Sequence, residues 1–527
     1  MASFKASRIL MAGTACMLLA SCDGADSVAS PGEGTFPVVP VPTPTGSPTG
    51  TPTAPGTPAA SCPTGLADGG VVGAFRACRL PRVISSDLTL RKLTGVAYEI
   101  NGQVDVGIDV GGNGQRQGGT AATLTVEPGV IVYANTDNAS NDFLVVNRGS
   151  KMNAVGTATQ PIIFTAQGNL TGTVTDESQG LWGGIIMAGR APISNCNQTV
   201  AGGSAGCENI VEGTTTALYG GATADDNSGT VSYVQIRYSG TVISANNELQ
   251  GLTLGGTGSG TTIDHVQIHN SSDDGIEIFG GRTNLKYLAM TGADDDAFDT
   301  DVGWQGYAQF VLAVQKPNST QTDNYATEID SNNNEDALPR QRYNISNFTF
   351  VSTTRDTNAV IRLRGGADAR FINGIVTGPS ACLNIVAGLD SQGKSTIRPA
   401  NTTLDDLGPP VFNSVVMSCA NPFATTDVTN NNVTVTVTAA EQEAIFNAGT
   451  NNVARATGVL TSGYLPAGVA LTTTAFAAAT INPFFVNTTF IGAVSGPSDT
   501  AFSGWTCNSN RANFGSASGS CTALPTA

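Results

Sequence analysis

Eight carboxylates crowd two short stretches: Asp273, Asp274 and Glu277 in one, and Asp294, Asp295, Asp296, Asp299 and Asp301 in the other. If the stretches stack, Asp273 and Asp274 come beside Asp294 and Asp295, and unpaired like charges at that range are costly. Only Arg282 and Lys286 lie close enough in sequence to offset them. A hard cation such as Ca2+ resolves the repulsion through oxygen ligands, which makes all eight candidate metal ligands. Asp225, Asp226 and Glu248 join the same edge if their turns align. Turn capping is the competing reading, because Asp readily accepts backbone N–H bonds. Catalysis is the third, with Asp273, Asp274, Asp294 and Asp295 supplying the acid and base of glycoside hydrolysis.

Other chemistry is thinner. A polysaccharide lyase combines calcium with an Arg or Lys base, and Arg282, Lys286, Arg362 and Arg364 are the nearest candidates. His265 and His269 are evenly spaced in a strand pattern, which places both on one face, outward and opposite Val266 and Ile268. Trp182 and Trp304 stand beside glycine turns, where they either stack on sugar rings or pack. The Gly-rich run Thr253–Thr262 lacks a following GKS/T, so it reads as turn chemistry rather than a phosphate loop.

These side chains need a scaffold of short strands. Apolar segments such as Ala122–Val126, Pro161–Thr165, Gly183–Met187, Val231–Ile236, Ile263–Ile268 and Leu285–Met290 alternate like strands with one inner face, and long helical patterns are nearly absent. Gly251-Leu252-Thr253-Leu254-Gly255-Gly256 recurs 24 residues on as Gly275-Ile276-Glu277-Ile278-Phe279-Gly280, and Asp296–Asp301 follows 21 residues later. Two strands and two turns per period, with glycine at the corners, fit one rung of a parallel β-solenoid. The fold expected is all-β: a single-stranded right-handed parallel β-helix over residues 85–420, about a dozen coils long at ~4.8 Å each. A β-sandwich is the rival. Residues 421–480 read as an inserted or covering segment, with a short helix over Glu441–Phe446. Residues 481–527 read as terminal rungs and a cap, which a solenoid needs over its last open edge.

The first residues concern location. Lys5 and Arg8 precede the apolar run Ile9–Ala20, too short for an ordinary membrane span and read as a secretion signal over residues 1–21. Leu19-Ala20-Ser21-Cys22 is similar to a bacterial lipobox, making Cys22 the lipidation site and the membrane a partner. Residues 22–60 follow as a Pro/Thr/Gly tether, and residues 61–84 as an N-terminal segment containing a disulfide. The remaining cysteines fall into sequence neighbours, Cys62/Cys78, Cys196/Cys207, Cys382/Cys419 and Cys507/Cys521, which an exported chain would close as disulfides. No CxxC spacing supports zinc. A net charge of −16 over 527 residues, without a basic cluster, argues against nucleic acid as a partner.

Several segments resemble a family of bacterial exported lipoproteins read as right-handed parallel β-helices. They are Leu181–Gly189, Tyr219–Gly240, Asn247–Gly281, Ala293–Gly306 and Gly504–Cys507. The resemblance implies the fold more than it implies an activity, while acylation of Cys22 would place the protein on the Gram-negative outer membrane, periplasmic or surface-facing. Ser272-Asp273-Asp274-Gly275 also resembles the paired-aspartate segment of polygalacturonase-like glycoside hydrolases, whose Gly-His-Gly and Arg-Ile-Lys segments are absent. The expectation is therefore a non-enzymatic envelope lipoprotein displaying a rigid face to a protein or polysaccharide partner. The alternative is a calcium-dependent polysaccharide lyase or a glycoside hydrolase.

Overall fold

Leu252, Leu254, Ile276, Ile278 and Phe298 are buried in one hydrophobic core, while Thr253, Glu277 and Asp299 alternate with them along the same strands. That alternation puts one row of side chains inside and one outside a parallel ladder. The computed structural model describes residues 56–525, except 138–140, 245–246, 318, 320–323, 332–333, 354–358, 389–393 and 431–432. The signal segment, Cys22 and residues 22–55 of the tether lie outside the described residues. A 24-stranded sheet winds as a right-handed parallel β-helix with three columns of strands.

The first column runs from Leu88–Leu90 through Thr262–Asp264 to Val411–Asn413. The second runs from Arg76–Arg79 through Val266–His269 to Val415–Ser418. The third runs from Val83–Ile84 through Leu252–Gly255, Ile276–Phe279, Phe298–Asp301 and Thr327–Ile329 to Ala359–Leu363 and beyond. Rungs begin earlier than residue 85: Phe75–Arg79 already pairs parallel with Val96–Ile100, behind an antiparallel strand Ala67–Val72.

Between the first two columns the chain bends at residues with left-handed backbone: Tyr233, His265, Tyr287 and Phe310 have φ of 53°, 53°, 53° and 62°. Their rings stack at 4.3, 4.3 and 4.6 Å, which repays part of the backbone strain with aromatic contact. Four disulfides close Cys62–Cys78, Cys196–Cys207, Cys382–Cys419 and Cys507–Cys521.

Past the last long strand, Val411–Phe423, comes an antiparallel hairpin, Thr426–Asn430 with Val433–Val437. Helix Ala439–Asn447 follows, begun by a capping box between Thr438 and Glu441. Phe446 packs 5.4 Å from Phe412 and 5.7 Å from Phe423, so the helix covers the end of the core. Among the described residues beyond 480 there is no strand, so the expected terminal rungs are not formed there. The chain from about residue 476 instead runs back along the flank, held by polar side chains on successive coils. Asn373 donates to Phe476 O, Gln309 to Val486 O, Gln267 to Cys507 O and Gln235 to Trp505 O. Among the described residues no helix is long and apolar enough to cross a membrane.

Candidate cation-binding active site

The outward row of the third column changes character along the axis. Val145 and Ile186 are apolar and covered by the segment that the Cys196–Cys207 disulfide closes. Thr253 follows, then Glu277, Asp299 and Glu328, and then Arg362. Just before these strands, the turns carry Asp273 and Asp274 on one coil and Asp294–Asp296 on the next. Gly275 is required at this corner: a Cβ there would meet Ala297 O at 2.6 Å and Met290 Cγ at 2.9 Å.

The register differs by one residue from the sequence expectation. Gly275 N–H donates to Asp296 O, and Ile276 pairs with Phe298, so this coil takes 22 residues rather than 21. Asp273 consequently meets Asp295, and Asp274 Oδ1 accepts the Asp296 N–H at 2.9 Å. Carboxylate oxygens of Asp273, Asp274 and Asp295 lie within 4.8 Å of one another, as do those of Asp274, Glu277 and Asp299. These five side chains can hold a divalent cation. Asp294 is set apart. Its carboxylate is fully buried, accepts Gln179 Nε2 at 2.6 Å and faces Lys316 at 3.7 Å, so it serves a structural network. Asp296 accepts the Tyr325 N–H, and Asp301 lies two residues beyond Asp299 on the same strand, paired with Phe279.

Glu277 Oε2, Asp299 Oδ1 and Asp301 Oδ1 are buried without a hydrogen-bond partner, on residues only 3 %, 9 % and 2 % exposed. Burial, followed by repulsion from neighbours such as Glu212, pushes Asp273 and Glu277 well above the usual carboxylate range. Burial and like charges do the same to Asp274, Asp296, Asp299 and Asp301, with Arg364 opposing at the last two. A buried cation with oxygen ligands would satisfy both the orphaned oxygens and the repulsion.

Of the basic candidates, two are near. Arg364 Nε contacts Glu328 at 2.6 Å and its terminal nitrogen contacts Asp330 at 2.5 Å, while Arg362 Nε is 3.5 Å from Glu328. Both line a cavity of about 160 Å3 with Asp330, Glu335, Gly365, Val386, Ala387 and Val428. Arg282 is buried in a turn, donating to Gly281 O and Gly303 O, and Lys286 lies over the Phe484 ring at 4.6 Å on another column. Asp226 is taken by Arg190 at 2.8 Å, whereas Glu248 faces Asp273 electrostatically.

Neither histidine lies on a free outer face. His265 occupies the aromatic bend, and His269 is fully buried, its Nδ1 3.1 Å from Thr291 O and its pKa pushed down to about 3 by burial and by Arg237 and Arg511. Trp182 and Trp304 are packing residues, donating to Arg237 O and Thr283 O. Glu328, Asp330 and Glu212 escaped the sequence reading. The next coil lengthens to 29 residues between Phe298 and Thr327, which breaks the spacing that would have aligned Glu328 with Asp299.

A family model described as the pectate-lyase like beta helix domain matches residues 107–460. The chain belongs to this family. No curated protein and no solved structure matches it. Membership of the pectate-lyase-like family, together with the two carboxylate triads, overturns the expectation of a non-enzymatic scaffold and points to an enzyme. The matched span contains the whole acidic ladder and both arginines, whereas the flanking strap beyond residue 460 lies outside it.

Proposed function

We propose that the protein is a calcium-dependent lyase acting on a polysaccharide of uronic acids. One observation carries the reading: in a pectate-lyase-like chain, two carboxylate triads share a nearly solvent-free edge with oxygens that nothing in the protein satisfies. Asp273, Asp274 and Asp295 would hold the cation that meets substrate, since Asp295 is half-buried whereas Asp299 is only 9 % exposed. The bound cation supplies charge neutralisation at a sugar carboxylate, which acidifies the adjacent carbon.

The chain's own residues position the polymer. Arg362 lies two strand spacings from Asp299 along the ladder, about 10 Å. Arg362 and Arg364 are guanidinium cations positioned by Glu328, which suits them to bind a second carboxylate of the polymer rather than to remove its proton. Elimination passes the proton beside the carboxylate to solvent and on to the glycosidic oxygen, which leaves as a hydroxyl when its C–O bond breaks, and one fragment ends in an unsaturated sugar. The clustered oxygens, packed within 4.8 Å, suit a cation clamp better than the wider acid–base pair of an inverting hydrolase. The lipobox-like Leu19–Cys22 and the tether support placing this activity on the outer membrane, through acyl chains on Cys22.

The test is a panel of polygalacturonate, alginate and neutral glucans, followed by ultraviolet absorbance of unsaturated ends. Absorbance should rise on an acidic polymer with calcium and stay flat with chelator. Reducing ends without unsaturation would make the enzyme a hydrolase, and no cleavage of any polymer would sink the reading.

A further inference from the structure

The five ligating carboxylates do not form one set. Asp273, Asp274 and Asp295 are mutually close, Asp274, Glu277 and Asp299 are mutually close, and Asp274 alone belongs to both. An ion of the calcium class holds oxygens at roughly 2.3–2.6 Å, so ligands of one ion lie within about 5 Å of one another. Glu277 and Asp299 are not grouped with Asp273 and Asp295, so one ion held by Asp273, Asp274 and Asp295 leaves them outside its shell. Those two are the ones whose Oε2 and Oδ1 are buried without a hydrogen-bond partner, at 3 % and 9 % residue exposure. Asp301 adds a third such oxygen on the same strand, on the side of Asp299 away from the turn.

Charge counting points the same way. Five ionised carboxylates with one divalent ion retain three negative charges in a nearly dry edge, whereas two ions leave one. Arg364, the guanidinium that opposes the charge at Asp299, is already engaged by Glu328 and Asp330. A carboxylate shared between two ions, as Asp274 is placed to be, also offsets the repulsion between them.

We propose that Asp274, Glu277 and Asp299 bind a second, deeper divalent cation beside the one at Asp273, Asp274 and Asp295, with Asp274 shared between the two. The inference rests on the same cluster as the proposed lyase, but its readout is stoichiometry without substrate. Equilibrium dialysis of the full chain against calcium alone should give two ions per chain. Glu277→Gln should leave one and Asp295→Asn should leave one, while Asp274→Asn should lower both affinities at least tenfold. Each variant removes negative charge, so melting in chelator should be unchanged or higher, which separates lost binding from lost folding. One ion per chain in the unaltered protein, or two in Glu277→Gln, would overturn the inference. A chain that binds two calcium ions but cleaves no polymer keeps this inference and loses the lyase reading. A chain that cleaves with one ion does the reverse.

Discussion

Asp274 is the side chain on which the chemistry converges, because it belongs to both triads and also receives the Asp296 N–H. Asp274→Asn should lower cleavage at least ~100-fold, the scale of losing one electrostatic element of an active site. Asp294→Asn should leave calcium affinity unchanged and instead lower the melting temperature, since it removes the charge facing Lys316 from a fully buried position. Calorimetric calcium titrations of the two variants, with melting curves, separate them; equal losses of calcium affinity would contradict the assignment. Proton linkage gives a second residue-scale test. Carboxylates raised in the folded state hold protons that the unfolded chain has released, so stability falls as pH rises above the ordinary carboxylate range. His269 works in the opposite sense, but only between about pH 3 and the unperturbed histidine value near 6.5. In chelator the melting temperature should therefore fall as pH rises beyond the point where His269 stops opposing the carboxylates, about pH 6.5, and calcium should abolish the fall. A flat profile in chelator would mean that the cluster is not desolvated. At this scale the sequence identified the acidic residues but set their register one residue short. A single extra residue in the coil places Asp295 rather than Asp294 beside Asp273 and Asp296 rather than Asp295 beside Asp274, and spacing alone does not resolve that step.

The ladder Glu277–Asp299–Glu328–Arg362 exists because parallel strands in the third column stack outward positions in register. Glycine recurrence made the first two of these strands legible. The longer sequence intervals before Thr327 and Ala359 hid the others, and with them the arginines' place on the acidic edge. The returning C-terminal strap was not legible either, because its attachments are Gln and Asn side chains meeting backbone groups far away in sequence. Nor did the alternating pattern around His265 reveal its bend, where a left-handed residue lets Ile263 and Val266 both face inward. Trp505 anchors the strap against that bend, with its ring 5.3 Å from His265 and 5.8 Å from Phe502, and it is 1 % exposed. Trp505→Ala should cost about 3–5 kcal/mol in urea unfolding, and limited proteolysis should then cut within residues 461–525. A loss under ~1 kcal/mol, with the strap still resistant, would show that it is held by its polar contacts alone.

At the scale of the molecule, glycine-cornered recurrence was enough to identify a right-handed parallel β-helix, since each rung can bury its inner face only against the next. A chain of net charge −16 acting on a polyanion works against long-range repulsion. Screening shortens that field from ~30 Å at 0.01 M salt to ~8 Å at 0.15 M. KM for an acidic polymer, at fixed saturating calcium, should therefore fall over this range while kcat changes little; a KM that rises with salt would indicate that ion pairs with the polymer dominate. The central claim is that cleavage and cation binding are one event at the carboxylate edge. Its most direct measurement is the initial rate of unsaturated-end formation across a calcium titration, run in parallel on the unaltered chain and Asp274→Asn. The account predicts that the rate rises from zero in chelator along the same curve as calcium binding, and that Asp274→Asn shifts both together. Full activity in chelator, or a variant that loses calcium yet cleaves at the original rate, would contradict it.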